Sequence, residues 1–103
     1  MPLLTDELRA RLPPMYSQEA EPEPWVYARF TMPGTGWDWY VMEGEAQEED
    51  YLFFGFVRGQ ESEFGYFLLS ELESVRTPLG TAVERDLTFT EGRLTDVVPA
   101  PDS

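Results

Sequence analysis

Four apolar, ring-rich runs follow one another between residues 25 and 69, and the links joining them are short. The runs are "WVYARFTM" (Trp25–Met32), "WDWYVMEG" (Trp37–Gly44), "YLFFGFV" (Tyr51–Val57) and "EFGYFLL" (Glu63–Leu69). Aromatic and β-branched residues suit a pleated, half-buried surface, so each run reads as a strand. "PGTG" between the first two is turn chemistry, "EAQEED" (Glu45–Asp50) reads as an acidic loop, and "RGQES" makes a tight connection. Parallel neighbours need a crossover of a dozen or more residues, so successive strands must pair antiparallel as a meander. The third run is apolar on both faces, which marks a central strand. Gly55 and Gly65 lie inside strands, where glycine signals a bulge or a close approach such as one beneath a ring.

The flanking segments supply helices and stops. Thr5 can cap a helix over Asp6–Leu12, with Leu4, Leu8 and Leu12 as its apolar stripe. Asp6 and Glu7 suit its positive start, Arg9 and Arg11 its negative end, and Pro13-Pro14 stops it. "SQEAEPEP" (Ser17–Pro24) reads as a polar connector. Ser70 with Glu73 fits a capping box, "TPLG" (Thr77–Gly80) a turn, and "ERDLTF" a fifth strand. Leu94, Val97 and Val98 can dock a last short segment, and "PAPDS" reads as a loose tail. The expected fold is α+β. A four- to five-stranded antiparallel meander carries an N-terminal helix on one face and short helical turns after the fourth strand. Residues 1–98 form a single domain and 99–103 a flexible tail.

Composition removes whole classes of chemistry. His, Cys and Lys are all absent, so there is no zinc site of imidazole and thiolate, no Schiff base and no neutral-pH imidazole shuttle. No cofactor or metal is expected. Twenty acids against seven Arg leave a net charge of -13, which repels nucleic acid and anionic membranes and favours a basic partner or plain solubility. The start "MPLLTDELRARL" lacks the apolar centre of a signal peptide, and the absence of Cys fits a reducing compartment, so the expected location is cytoplasmic.

Three groups could form a site. Glu43, Glu45, Glu48, Glu49 and Asp50 could hold a hard cation, though their spacing does not match a calcium loop and they fit a solvated hairpin equally. Glu84, Arg85 and Asp86 form the second group. On a strand Glu84 and Asp86 share one face and Arg85 takes the other, so the two acids could act as a catalytic pair or simply form ion pairs with Arg76 or Arg58. The third is the surplus of rings: Trp25, Trp37, Trp39, Tyr40, Tyr27 and Tyr66. Left uncovered on one sheet face they would bind a peptide, a sugar or an Arg-rich partner; covered, they are core.

"LLTDELRARLPPMY", "WDWYVMEG", "LFFGFVRGQESEFGYFLLSELESVR" and "PLGTAVERDLTF" occur in this order and span nearly the whole chain. Together they resemble the bacterial family called domain of unknown function 2958. The resemblance implies a small stand-alone bacterial protein of the kind carried on plasmids, phages and other mobile elements. It carries over no catalytic residue.

The expected function is therefore non-catalytic. The chain reads as an acidic protein that binds another macromolecule, a basic or DNA-binding protein among the candidates, with no direct contact to nucleic acid or membrane. Trp25, Trp37, Trp39, Tyr40, Glu84, Arg85 and Asp86 are the expected binding residues. A DNA-mimicking, anti-defence version would set carboxylates in two rows like duplex phosphates. The alternative is a carboxylate-dependent hydrolase using Glu84 and Asp86, which needs a cleft and a raised carboxyl pKa. The protein is expected as a monomer or a homodimer.

Overall fold

The computed structural model describes residues 2–98, so the expected tail at 99–103 lies outside the described residues. Helix α1 covers Asp6–Arg11. The Thr5 hydroxyl accepts from the Leu8 N–H at 3.1 Å, and the acid-first, Arg-last charge order complements the helix dipole. Leu12, preceding Pro13, is extended and ends the helix.

The meander is present. Strands β2 (Ala28–Met32), β3 (Trp37–Gln47), β4 (Asp50–Arg58) and β5 (Ser62–Leu68) pair antiparallel in succession. The fifth strand, β6 (Glu84–Arg85), crosses back to pair with β2, giving the order β5-β4-β3-β2-β6. β5 and β6 therefore end the sheet on opposite sides. The first expected strand is broken at Tyr27. Its start, β1 (Trp25–Val26), swings away and pairs with β7 (Gly92–Arg93) in a separate ribbon. Helix α3 (Leu94–Val97) follows directly.

Three local expectations need correction. The supposed acidic loop at Glu45–Asp50 is mostly strand: β3 and β4 run on to the pair Gln47–Asp50, and only Glu48 and Glu49 turn the chain. Glu48 adopts φ 55°, which lets two residues close the hairpin. The helix after β5, α2 (Leu69–Ser74), begins before Ser70, so Ser70 cannot cap it. Glu71 instead reaches back to the Leu68 N–H at 3.0 Å, while the Ser70 N–H and hydroxyl both go to the Asp50 carboxylate. Finally, the two strand glycines differ. At Gly55 a Cβ would lie 1.9 Å from the Tyr40 carbonyl oxygen, next to a bulge that leaves Met42 unpaired between Val41 and Glu43. At Gly65 a Cβ would meet nothing within 4 Å. The glycines packed against rings are Gly59, under Trp37, and Gly44, where a Cβ would lie 2.6 Å from the Tyr51 ring.

The "TPLG" turn stands as expected: the Gly80 N–H donates to the Thr77 carbonyl at 2.8 Å, with Gly80 at φ 87°.

The sheet separates two cores. On one face Phe30, Trp39, Val41, Phe53 and Phe67 pack against Leu3, Leu8 and Leu12 of the α1 region, with Leu72 and Val83 closing the rim. Phe53 touches Phe30, Tyr51 and Phe67, all at 5.1–5.5 Å between centroids. The other face buries Val26, Tyr40 and Met42 beneath Phe89, Leu94, Val97 and Val98. Among the described residues, no helix is long and apolar enough to cross a membrane.

Candidate functional site: a ring-lined hollow with a carboxylate rim

Strand pairing places Phe54 opposite Tyr66 and Phe56 opposite Phe64, so four rings share one face at the β4–β5 end of the sheet. The C-terminal segment covers Tyr40 but leaves the outermost rings bare: Phe64 is 51% exposed and Tyr66 53%. The connector between α1 and β1 forms the opposite wall. It brings Tyr16, Gln18, Glu19, Glu21, Pro22 and Pro24 over Phe54, Phe64 and Tyr66, with Met42 and Glu43 in the floor. The hollow is half open and holds about 430 Å³.

Two polar side chains hold this wall in place. Glu43 is buried, yet both of its oxygens are satisfied: Oε1 accepts from the Tyr16 N–H at 2.8 Å and Oε2 from the Gln18 N–H at 2.9 Å. Gln18 binds across the gap: its Oε1 accepts from the Trp25 N–H, and its Nε2 donates to the Trp25 and Met42 carbonyls. Tyr16 sits at φ 68°, an uncommon geometry for a non-glycine residue, at the point where the connector bends over the rings. Contact with the Tyr16 side chain, then desolvation and the nearby Glu43 and Glu19 charges, hold the Tyr66 phenol above its ordinary pKa.

The expected site residues are dispersed. Tyr40 is 1% exposed and belongs to the core, where it meets Phe89 edge-on. Trp39 is buried on the opposite face, and the partly exposed Trp37 stacks on it at 6.0 Å. Trp25 is half-buried, beneath the Arg93 guanidinium and donating to Glu91. Tyr27, also half-buried, lies below Arg11. Of the rings named from sequence, only Tyr66 lines the hollow.

Glu84, Arg85 and Asp86 alternate as a strand requires, and each meets different surroundings. Glu84 is exposed; Arg85 turns to the helical face and donates to Thr5 at 3.1 Å. Asp86 binds Arg29 at 2.7 Å, and Arg29 also binds Asp38 at 2.6 Å. The partner of Asp86 is thus Arg29, not Arg76 or Arg58; Arg58 lies 3.8 Å from Asp38 instead. The Thr88 hydroxyl, and then Arg29, hold the Asp86 carboxyl below the ordinary range, opposite to what a general acid needs.

The acid cluster also disperses. Glu43 serves the connector, Glu45 accepts from the Met15 N–H, Asp50 accepts from Ser70, and Glu48 and Glu49 point to solvent. Among the described residues, no group of three or more acids could hold a metal ion.

Sequence reasoning missed Tyr16, Phe54, Phe64, Glu19 and Glu21 as members of one site. A signal existed for two of the rings. In "EFGYF" Phe64 and Tyr66 alternate on the last strand of a meander, which is a sheet edge and the place least able to be covered. Nothing local marks the connector, because its folding over the sheet depends on Glu43, 25 residues from Gln18.

No curated protein and no solved structure matches the chain. A family model described as "Protein of unknown function (DUF2958)" matches residues 3–98, nearly the full length. With the match running from the α1 region through the last helix, the chain belongs to the DUF2958 family of proteins of unknown function.

Proposed function

We propose that this protein is a non-catalytic binding protein that grips a segment of another protein in the hollow between the connector and the β4–β5 rings. The observation that carries this reading is the combination of bare rings and negative rim. Phe64 and Tyr66 remain half exposed on a folded sheet, and the hollow they line carries Glu19, Glu21 and Glu43 without a single Arg. Rings next to carboxylates suit a cationic side chain, whose stem packs on the ring face while its head meets the acid. A DNA mimic needs carboxylates in two phosphate-like rows; Glu19 and Glu21 here stand beside a patch of rings, which favours a protein segment over a blocked DNA site. The hydrolase alternative loses its support, because Asp86 is ion-paired and Glu84 is exposed.

The test is affinity isolation from host lysate with the wild-type chain and a Phe64→Ser/Tyr66→Ser double variant that retains the native circular dichroism. A partner held by the wild type, lost by the variant and released by salt supports the reading. Equal retention on both chains, or none on either at low salt, sinks it.

A further inference from the structure

The hollow opens onto an unguarded sheet edge. β5 ends the five-stranded sheet and is seven residues long, whereas β6 at the other edge has two. Edge strands are normally blunted by Lys, Pro or inward charges; β5 (Ser62–Leu68) has no Lys and no Pro, and Glu63 is its single charge. Its backbone parity follows from Leu68, whose N–H turns outward to Glu71 rather than to Leu52 on β4. Antiparallel ladders alternate inward- and outward-bonding residues, so Phe64 and Tyr66 also present their N–H and C=O groups outward. Among the described residues no strand pairs with these groups, so the residues with bare rings are also those whose backbone groups are open to a further strand.

Resting on the binding reading above, we infer that β5 receives an extended, Arg- or Lys-bearing segment of the partner as an additional strand. Main-chain bonds to Phe64 and Tyr66 fix its register. Its alternate side chains fall on the ring face and reach toward Glu19 and Glu21 on the wall of the hollow. Charge selects the occupant. The chain carries -13 and the hollow contains carboxylates without Arg, so a second copy would bring like charge to like charge, and nucleic acid would be repelled. A basic strand is drawn in.

The experiment uses the full chain and a short peptide alternating Arg and Val, measured by calorimetry with amide hydrogen exchange. Two further peptides carry N-methyl groups on all the Arg amides or on all the Val amides. Strand addition predicts that one methylated set weakens binding about tenfold or more while the complementary set does not, since only alternate amides face β5. It also predicts slowed exchange at the amides of Phe64 and Tyr66, and affinity that falls with salt. If both methylated peptides bind like the parent, strand addition is wrong although a ring-and-carboxylate grip survives. If the parent peptide does not bind, while the ring-dependent partner from lysate is retained, the basic-strand assignment is wrong and the binding reading stands. A chain that sediments as a dimer, dissociated by Phe64→Ser, makes the second copy the occupant and overturns the inference.

Discussion

The two faces of one sheet are built from the same strands and the same ring chemistry, yet one is sealed and the other is half open. Phe53 and Phe67 lie under the leucines around α1. Their neighbours in sequence, Phe54 and Tyr66, face the other way, where cover runs out before β5. The difference lies outside the strands. α1 and the Leu72–Val83 region cover one face across its width, whereas the ribbon of β1 and β7 with α3 covers only the middle of the other. Ring exposure here is set by the reach of the covering segments, so strand composition alone does not determine it.

Truncating one ring from each face tests the difference between the faces most severely. Phe53→Ala removes a fully buried ring with three aromatic neighbours and should cost about 3–5 kcal/mol in chemical denaturation. Phe64→Ala removes a half-exposed ring stacked on Phe54 and edge-on to Phe56, and should cost no more than about 1.5 kcal/mol. Similar losses at both positions would make the half-open face an ordinary core.

Gly55 and Gly65 are direct cross-strand partners and should respond in opposite senses. Gly55→Ala drives a methyl into the Tyr40 carbonyl and should destabilise by about 1–3 kcal/mol or more. Gly65→Ala has open space and a non-positive φ, and should stabilise by up to about 1 kcal/mol through the lost freedom of the unfolded chain. Thermal unfolding of the two single variants checks the signs.

These contrasts mark what the sequence could and could not convey. The meander was legible because strand runs and short links are local features, and Thr5, Pro13 and "TPLG" act within a few residues of themselves. Of the fifth strand expected over "ERDLTF" only Glu84–Arg85 is strand, and its place at the far edge was not legible, since it depends on a return path across the sheet. The burial of Tyr40 and Trp39 is not legible in the sequence for one reason: the width of cover on each face is a tertiary quantity. Gln18 looked like connector filler, and its three bonds to Trp25 and Met42 exist only after the sheet has formed.

Glu43→Gln tests whether the wall of the hollow is held by charge. An amide keeps one acceptor oxygen and places an NH2 against a backbone N–H, so one donor, from Tyr16 or Gln18, loses its partner. The expected loss is about 1–3 kcal/mol, with faster exchange at the Tyr16 and Gln18 amides. Peptide affinity should fall with it, because the wall that carries Glu19 and Glu21 loosens. Unchanged exchange at both amides would show that the connector stays down without Glu43.

The smallest effect concerns the sealed end of the half-open face, where Asp86, Arg29 and Asp38 form an ion-paired row beside the ring core. Asp86 has a folded pKa below its ordinary 3.8, first through the Thr88 hydroxyl and then through Arg29. A depressed carboxyl contributes stability above its unfolded pKa and loses it as pH falls through the folded value, so the contribution is complete at neutral pH, begins to fade near pH 3.8 and is gone only below the lower folded pKa. Asp86→Asn should therefore cost under about 1 kcal/mol at pH 7, since the pair is partly solvated. The gap between wild type and variant should close as pH drops into that range. Peptide binding at pH 7 should be the same in both, because Asp86 does not line the hollow. A gap that persists in acid would mean that the Asp86 side chain stabilises this end by packing rather than by charge.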